Sequence, residues 1–231
     1  MLATGKRPCR WRDGTARCYN RGAARGGNRV KLHTSPASPF GRKVMVVLHE
    51  TGQLERVERR DASLTPLAPD PAVVAANPLG KIPCLELDDG TALFDSRVIC
   101  EYLDGLHDGP RLLPEAGPER FRVLCLQALG DGILDAAVGL RYETFLRPES
   151  LRWPDWIAAQ KLKITRALDR LEQETSGLAG RIDLGTLTIA CALGYLDFRF
   201  AAERWRDGRP QLASWYERIA ARPSLLATEP A

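Results

Sequence analysis

The sequence predicts a small α/β layer followed by an all-helical region. Three observations predict it. Short extended segments alternate with helix-like stretches through the first hundred residues. Prolines and glycines then crowd the stretch from Gly109-Pro110 to Gly117-Pro118. Beyond it, apolar residues recur at helical spacing.

The elements follow in order. Val30-Lys31-Leu32-His33-Thr34 reads as a strand. Ser38 then suits a helix N-cap and Pro39 the first helical position, and the helix stops at Gly52. Glu55 to Arg60 reads as a second strand. Four prolines (Pro66, Pro69, Pro71 and Pro78) leave room for one short helix near Ala72–Ala76. Pro83–Leu87 and Thr91–Phe94 flank Asp88-Asp89-Gly90, a hairpin signal. A third helix opens at Ser96, completing the order βαβαββα. In the helical region one stripe holds Phe121, Leu124, Cys125, Ala128, Leu129, Gly132 and Ala136. A second holds Ile157, Ile164, Leu168 and Leu171, and a third Leu184, Leu187, Cys191, Tyr195 and Phe198. Trp215 and Ile219 belong to a last helix, which Arg222-Pro223 ends.

Charge separates the first 29 residues from the rest. The formal net charge is +4, but residues 1–29 carry eight bases and one acid, and the remainder is −3. The basicity belongs to a Gly- and Arg-rich extension that reads as disordered. The mildly acidic body is not that of a nucleic-acid binder. No apolar run approaches the roughly 20 residues of a membrane span. The six cysteines contain no C-x-x-C pair and no zinc-finger spacing, so a metal site is not expected. Cys84, Cys100, Cys125 and Cys191 fall inside apolar patterns, as small core residues do. A reducing cytoplasm fits that usage.

The chemistry concentrates in two short segments. In Asn77-Pro78-Leu79-Gly80-Lys81-Ile82-Pro83-Cys84-Leu85, Ile82-Pro83 is a candidate cis peptide at the start of an extended segment. The Ile82 backbone there can pair with an extended peptide as an added strand would. In Phe94-Asp95-Ser96, an acid and a serine open a helix, where anionic groups are stabilised and a carboxylate can hold an amine. Together they form a seat for a short peptide with charged ends.

These motifs, with the α/β-then-helical order, resemble the soluble glutathione S-transferases over about residues 30–228. Ala192-Leu193-Gly194-Tyr195-Leu196-Asp197-Phe198-Arg199 and Arg222-Pro223-Ser224 look like bacterial members. Ser38-Pro39-Phe40 resembles the tau-class Ser-Pro-Phe and the omega-class Cys-Pro-Phe. The resemblance implies a thioredoxin-like domain at 30–108, a linker at 109–118 and a helical-bundle domain at 119–228. It implies glutathione as co-substrate, no metal, a small electrophile, a homodimer, and no membrane or nucleic-acid partner. Ser38 takes the catalytic position. Phe40, Lys81, Ile82, Pro83, Asp95 and Ser96 are the glutathione-site residues. Electrophile-site candidates are Asp131, Asp135, Arg141 and Tyr142, with Phe40.

Alternatives stand beside these roles. Ser38 can simply cap its helix, as can Asp95-Ser96. Ser35 and Thr34 suit a turn before Pro36, and a lone His33 is a weak candidate base. Arg42 and Lys43 read as solvated helix charges. Asp131 and Asp135, one turn apart, suit a solvated or subunit-facing surface. At Asp183-Leu184-Gly185-Thr186 the family's Ser/Thr-x-x-Asp box is swapped, and a weakened reciprocal cap is expected. Serine at position 38 favours holding a glutathione thiolate over mixed-disulfide chemistry. The same site suits peroxide reduction or dehalogenation. A non-catalytic binding or regulatory protein of this fold is the alternative.

Overall fold

The computed structural model describes residues 30–231. The expectation for residues 1–29, with Cys9 and Cys18, lies outside the described residues. Val30–Thr34 (β1), Val57–Asp61 (β2), Cys84–Glu86 (β3) and Ala92–Leu93 (β4) form a sheet in the order β2-β1-β3-β4. β1 and β2 run parallel with Leu32 opposite Arg59, while β3 runs antiparallel to β1 and to β4. Parallel neighbours need a long crossover. Pro39–Glu50 (α1) supplies it, capped by Ser38 with Pro39 at its first position, and Gly52 at φ 65 turns the chain out of it. β2 starts later than Glu55 because Leu54–Arg56 forms a 3-10 turn. Pro71–Ala76 (α2) and Ser96–Asp104 (α3) complete the βαβαββα layer.

The helical half consists of Pro118–Arg141 (α4), Pro154–Gln173 (α5), Leu184–Phe200 (α6), Pro210–Ala220 (α7) and Pro223–Leu226 (α8). α4 runs on into a π-helical turn over Tyr142–Leu146. α4 packs along α6, and two glycines let the backbones close. A Cβ on Gly130 would sit 2.8 Å from Thr188 Cγ2, and one on Gly185 2.8 Å from Leu126 Cβ. α6 is buried on every side from Leu184 to Leu196 and also touches α1, so it joins the two halves of the core.

Four expectations need correction. The α4 stripe is not the buried face. Phe121 is 66% exposed, and Cys125, Ala128 and Gly132 are exposed as well. The core takes Val123, Ile133, Leu134 and Ala137 instead. The helix is apolar on both sides, so spacing alone did not say which side faces inward. Cys125 is accordingly a surface thiol, unlike the other three described cysteines. The cap of α6 is fully reciprocal: Thr186 N–H donates to Asp183 Oδ1 at 2.8 Å and Asp183 N–H to Thr186 Oγ1 at 3.0 Å. A threonine hydroxyl reaches as a glutamate would. Finally, Pro118–Leu146 and Leu184–Glu203 are long and apolar enough to cross a membrane by composition, and both pack as bundle helices.

The linker is held from both sides. The buried Asp104 carboxylate accepts the N–H groups of Leu112 (2.8 Å) and Leu113 (3.1 Å), and Leu184 N–H donates to Leu112 O at 3.0 Å.

Candidate active site

The end of β1 and the start of α1 build the first part of the site. Ser38 has φ −81 and ψ 116, the extended geometry of an N-cap. Its N–H donates to Ser35 O at 3.0 Å, and its Oγ accepts the Gly41 N–H at 3.1 Å. The hydroxyl therefore sits among the free N–H groups of the first turn, the positive end of the helix. It keeps its own proton to donate. Beneath it, Thr34 is buried and its Oγ1 lacks a hydrogen-bond partner among the described residues. A Cβ on Gly41 would lie 2.1 Å from that oxygen, so the first turn lies flat on the strand end only because residue 41 is glycine. Ser35 Oγ accepts Ala37 N–H at 3.3 Å, a turn role. His33 Nε2 pairs with Glu86 Oε1 on the neighbouring strand.

The second part faces it from the start of β3 and α3. The Ile82-Pro83 peptide is cis, as is Phe94-Asp95. Asn77, itself buried, holds the Lys81 carbonyl through Nδ2 at 2.8 Å. The next residue, Ile82, has both backbone groups unpaired among the described residues. Lys81 is exposed and Pro83 buried. Asp95 caps α3, accepting Arg97 N–H at 3.0 Å, and Ser96 is buried behind it.

The floor is ionic, which the sequence reading missed. Lys43 and Arg42 are buried, not solvated. Lys43 Nζ donates to Asp131 Oδ1 at 2.6 Å, and Arg97 Nε to Asp131 Oδ2 at 2.8 Å. Both oxygens of the buried Asp131 are thus taken, and it ties α1, α3 and α4 together. Arg42 donates to Leu225 O at 3.1 Å and lies against Gly194, where a Cβ would come within 2.2 Å of Nη1. Asp135, one turn beyond Asp131, stays exposed. Burial and the Asp131 charge push its carboxyl up, opposed by Arg97 and Lys81. It therefore belongs with Lys81, Asp95 and Arg97, the charged rim of the seat.

The remaining candidates lie at the far end of α4. The Arg141 guanidinium stacks on Phe145, 3.6 Å from the ring centroid, and Arg199 on Phe198 at 3.9 Å. Tyr142 is partly exposed. Tyr195, buried on α6, meets Phe198 and Phe200 edge-on at 6.5 Å. Burial pushes its phenol up, while Arg199 and Arg141 pull the other way.

Burial, with the nearby Glu86 charge, pushes the Cys84 thiol up to about 11. Burial pushes Cys100 to about 12. Among the described residues no group of His, Cys, Asp and Glu could hold a metal ion. Two open surface grooves, one beside α7 and one between α4 and α5, lie away from the seat.

The glutathione S-transferase N-terminal domain pattern matches residues 37–106, and the C-terminal domain pattern matches 154–218. The GST-like protein YibF of Escherichia coli K12 is 37% identical over 205 residues, covering 87% of this chain and 98% of the relative. The chain belongs to the glutathione S-transferase family. Its layer of strands and helices is the thioredoxin-like domain of that family, and its bundle is the helical one. A crystal structure of a glutathione transferase family member from Pseudomonas fluorescens Pf-5, with bound glutathione, aligns with a TM-score of 0.86. The two are 53% identical, and the match covers 87% of this chain and 99% of that one. A structure from the same organism with bound S-(propanoic acid)-glutathione aligns with a TM-score of 0.82 at 51% identity, covering 87% of this chain and all of that one.

Proposed function

We propose that this chain is a serine-type glutathione transferase, in which Ser38 holds the glutathione thiolate for attack on a small electrophile. The observation that carries this is the place of the Ser38 hydroxyl, among the free amides at the start of α1. A free thiol with a pKa near ~8.5 is only slightly ionised at neutral pH. Lowering that pKa by two units takes about 2.7 kcal/mol of selective thiolate stabilisation. A hydroxyl donating to the thiolate supplies about 1.5–3 kcal/mol. A helix N-terminus adds on the order of 1 kcal/mol. Ser38 combines the two.

The rest of the seat suits the tripeptide. The unpaired Ile82 backbone takes the cysteinyl N–H and C=O, and Pro83 fixes the chain behind it. The Asp95 carboxylate meets the γ-glutamyl ammonium, and the N-terminus of α3 at Ser96 meets its carboxylate. Lys81 reaches the glycyl carboxylate. Phe40, half-buried on the first turn of α1, walls the sulfur side. The sulfur then bonds to an electrophilic carbon. In a displacement the leaving group departs with the bonding pair; peroxide reduction and dehalogenation use the same thiolate. Residues 30–108 carry the glutathione seat, 109–118 connect, and 119–228 close the electrophile side. The apolar outer face of α4, where Phe121 is exposed, forms the contact of a cytoplasmic homodimer.

Glutathione titration of wild type and Ser38→Ala, followed by thiolate absorbance in the ultraviolet, tests the reading. Wild type should bind with the thiolate at neutral pH. The variant should bind with the thiol protonated and lose activity about 10²-fold, as when one oxyanion donor is removed. Wild type that binds glutathione only as the thiol, or not at all, moves the chain to the binding-protein reading.

A further inference from the structure

We propose that Thr34 is a positioning residue for the thiolate: with glutathione bound, its hydroxyl donates to Ser38 Oγ and makes the Ser38 O–H a stronger donor to sulfur. This role rests on the transferase reading of Ser38 above and adds a second hydroxyl to it. An orphaned donor is the first observation. Thr34 ends β1 and is 2% exposed. Its carbonyl is satisfied, accepting Ala62 N–H at 2.8 Å. Its Oγ1 has no hydrogen-bond partner among the described residues. A buried hydroxyl left in that state is costly, and such groups gather where a site needs them. The other polar side chains around the cap are committed. Ser35 Oγ accepts Ala37 N–H at 3.3 Å, and His33 pairs with Glu86 on the neighbouring strand.

Ser38 has the complementary need. A serine oxygen can accept two hydrogen bonds. Among the described residues Ser38 Oγ accepts one, from Gly41 N–H at 3.1 Å. The two hydroxyl oxygens flank one point, the place of a Cβ on residue 41. Thr34 Oγ1 lies 2.1 Å from it and Ser38 Oγ 3.4 Å. Residue 41 is glycine, so no side chain stands there. The burial is graded in the same order. Thr34 is sealed beneath the first turn of α1, and Ser38 above it is half-buried. Ser38 can therefore meet Thr34 on its inner side and the sulfur on its outer side.

Hydrogen bonds in a chain polarise one another. A proton given by Thr34 to Ser38 Oγ draws electron density from that oxygen. The Ser38 O–H then binds a thiolate more strongly than it would alone, by about 10–30% of the bond. It favours the charged sulfur over the neutral thiol, so it lowers the thiol pKa. Ser38 stays the group that touches sulfur, and Thr34 acts only through it.

Ultraviolet titration of bound glutathione against pH tests this, on wild type, Thr34→Val, Thr34→Ser, Ser38→Ala and the Ser38→Ala/Thr34→Val double variant. Thr34→Val keeps the shape and removes the hydroxyl. It should raise the thiol midpoint and lower the thiolate-to-thiol ratio at fixed pH roughly twofold. Thr34→Ser should keep the wild-type ratio. In the Ser38→Ala chain, Thr34→Val should shift nothing further, the signature of a residue that works through Ser38. Denaturant unfolding without glutathione should find Thr34→Val at least as stable as wild type, since it buries no orphaned hydroxyl. A packing role gives the opposite pattern, lost stability with an unchanged midpoint. If the valine variant fails to fold, Thr34→Ala supplies the same comparison. An unchanged midpoint on removing the hydroxyl, an equal shift with and without Ser38, or a serine variant that behaves as valine does overturns the Thr34 role and leaves the transferase reading standing. Wild type that binds glutathione only as the thiol, or not at all, overturns both.

Discussion

Gly41 has the tightest tolerance of the described glycines. Its missing side chain is the space occupied by Thr34 Oγ1, and Ser38 Cβ lies 3.3 Å from the same point. A methyl there must push either the strand end or the cap. Gly41→Ala is expected to destabilise the fold by about 1–3 kcal/mol through overpacking, and to lower the thiolate fraction because Ser38 moves. Adding Thr34→Ala should restore part of both losses. Denaturant unfolding and ultraviolet titration of the single and double variants check this, and an unperturbed Gly41→Ala protein would contradict it. Ser38 was legible in the sequence because capping and a proline at the first helical position are local signals. Lys43 was not. It lies one residue from Arg42 in a run that looks solvent-facing, and its carboxylate partner is 88 residues away.

The α/β elements were readable to within a few residues because turn formers bracket each one. α4 was not readable in orientation. An apolar helix with small residues on its outer face offers two plausible stripes, and the buried one contains Gln127 and Asp131, polar residues that a pattern search assigns to water. Among the described residues, Gln127 has a buried Nε2 without a partner, and Asp131 is paired with cations from α1 and α3. The swapped cap of α6 teaches a related point: a hydroxyl at the third helical position closes the box as well as a carboxylate does. At this scale the outer face of α4 has a measurable consequence. On the proposed homodimer reading, Phe121→Asp, at a position 66% exposed in the single chain, should convert dimer to monomer. Light scattering reads the molar mass directly, and a variant that remains dimeric removes α4 from the interface.

Across the whole molecule, the last helices return to the first. Arg222, which precedes α8, grips Glu50 at the end of α1 through Nε (2.9 Å) and Nη2 (2.7 Å), and Ser224 donates to the same carboxylate. Burial alone would push the Glu50 carboxyl up, but these hydrogen bonds and the Arg222 charge hold it below the usual glutamate range. A depressed carboxylate pKa contributes stability above the unfolded value, near ~4.3, and that contribution fades as pH falls through the folded value. Glu50→Gln should therefore be less stable than wild type at pH 7, and the gap should close as the pH drops below about 4. Unfolding midpoints across that range decide it, and a gap independent of pH would refute the clamp. Such long-range closure has no local sequence signal, which is why the tail of the chain could be read only as a helix ended by Arg222-Pro223. The buried pair at the centre carries a further implication, for recombination between relatives. Lys43 is built into one half of the protein and its counter-ion Asp131 into the other. A chimera joining this α/β layer to a foreign helical half inherits a buried ammonium. Unless the incoming helix brings an acid to the position of Asp131, the hybrid forfeits about 3–5 kcal/mol. The halves of this chain are thus interchangeable only with partners that honour that one charge.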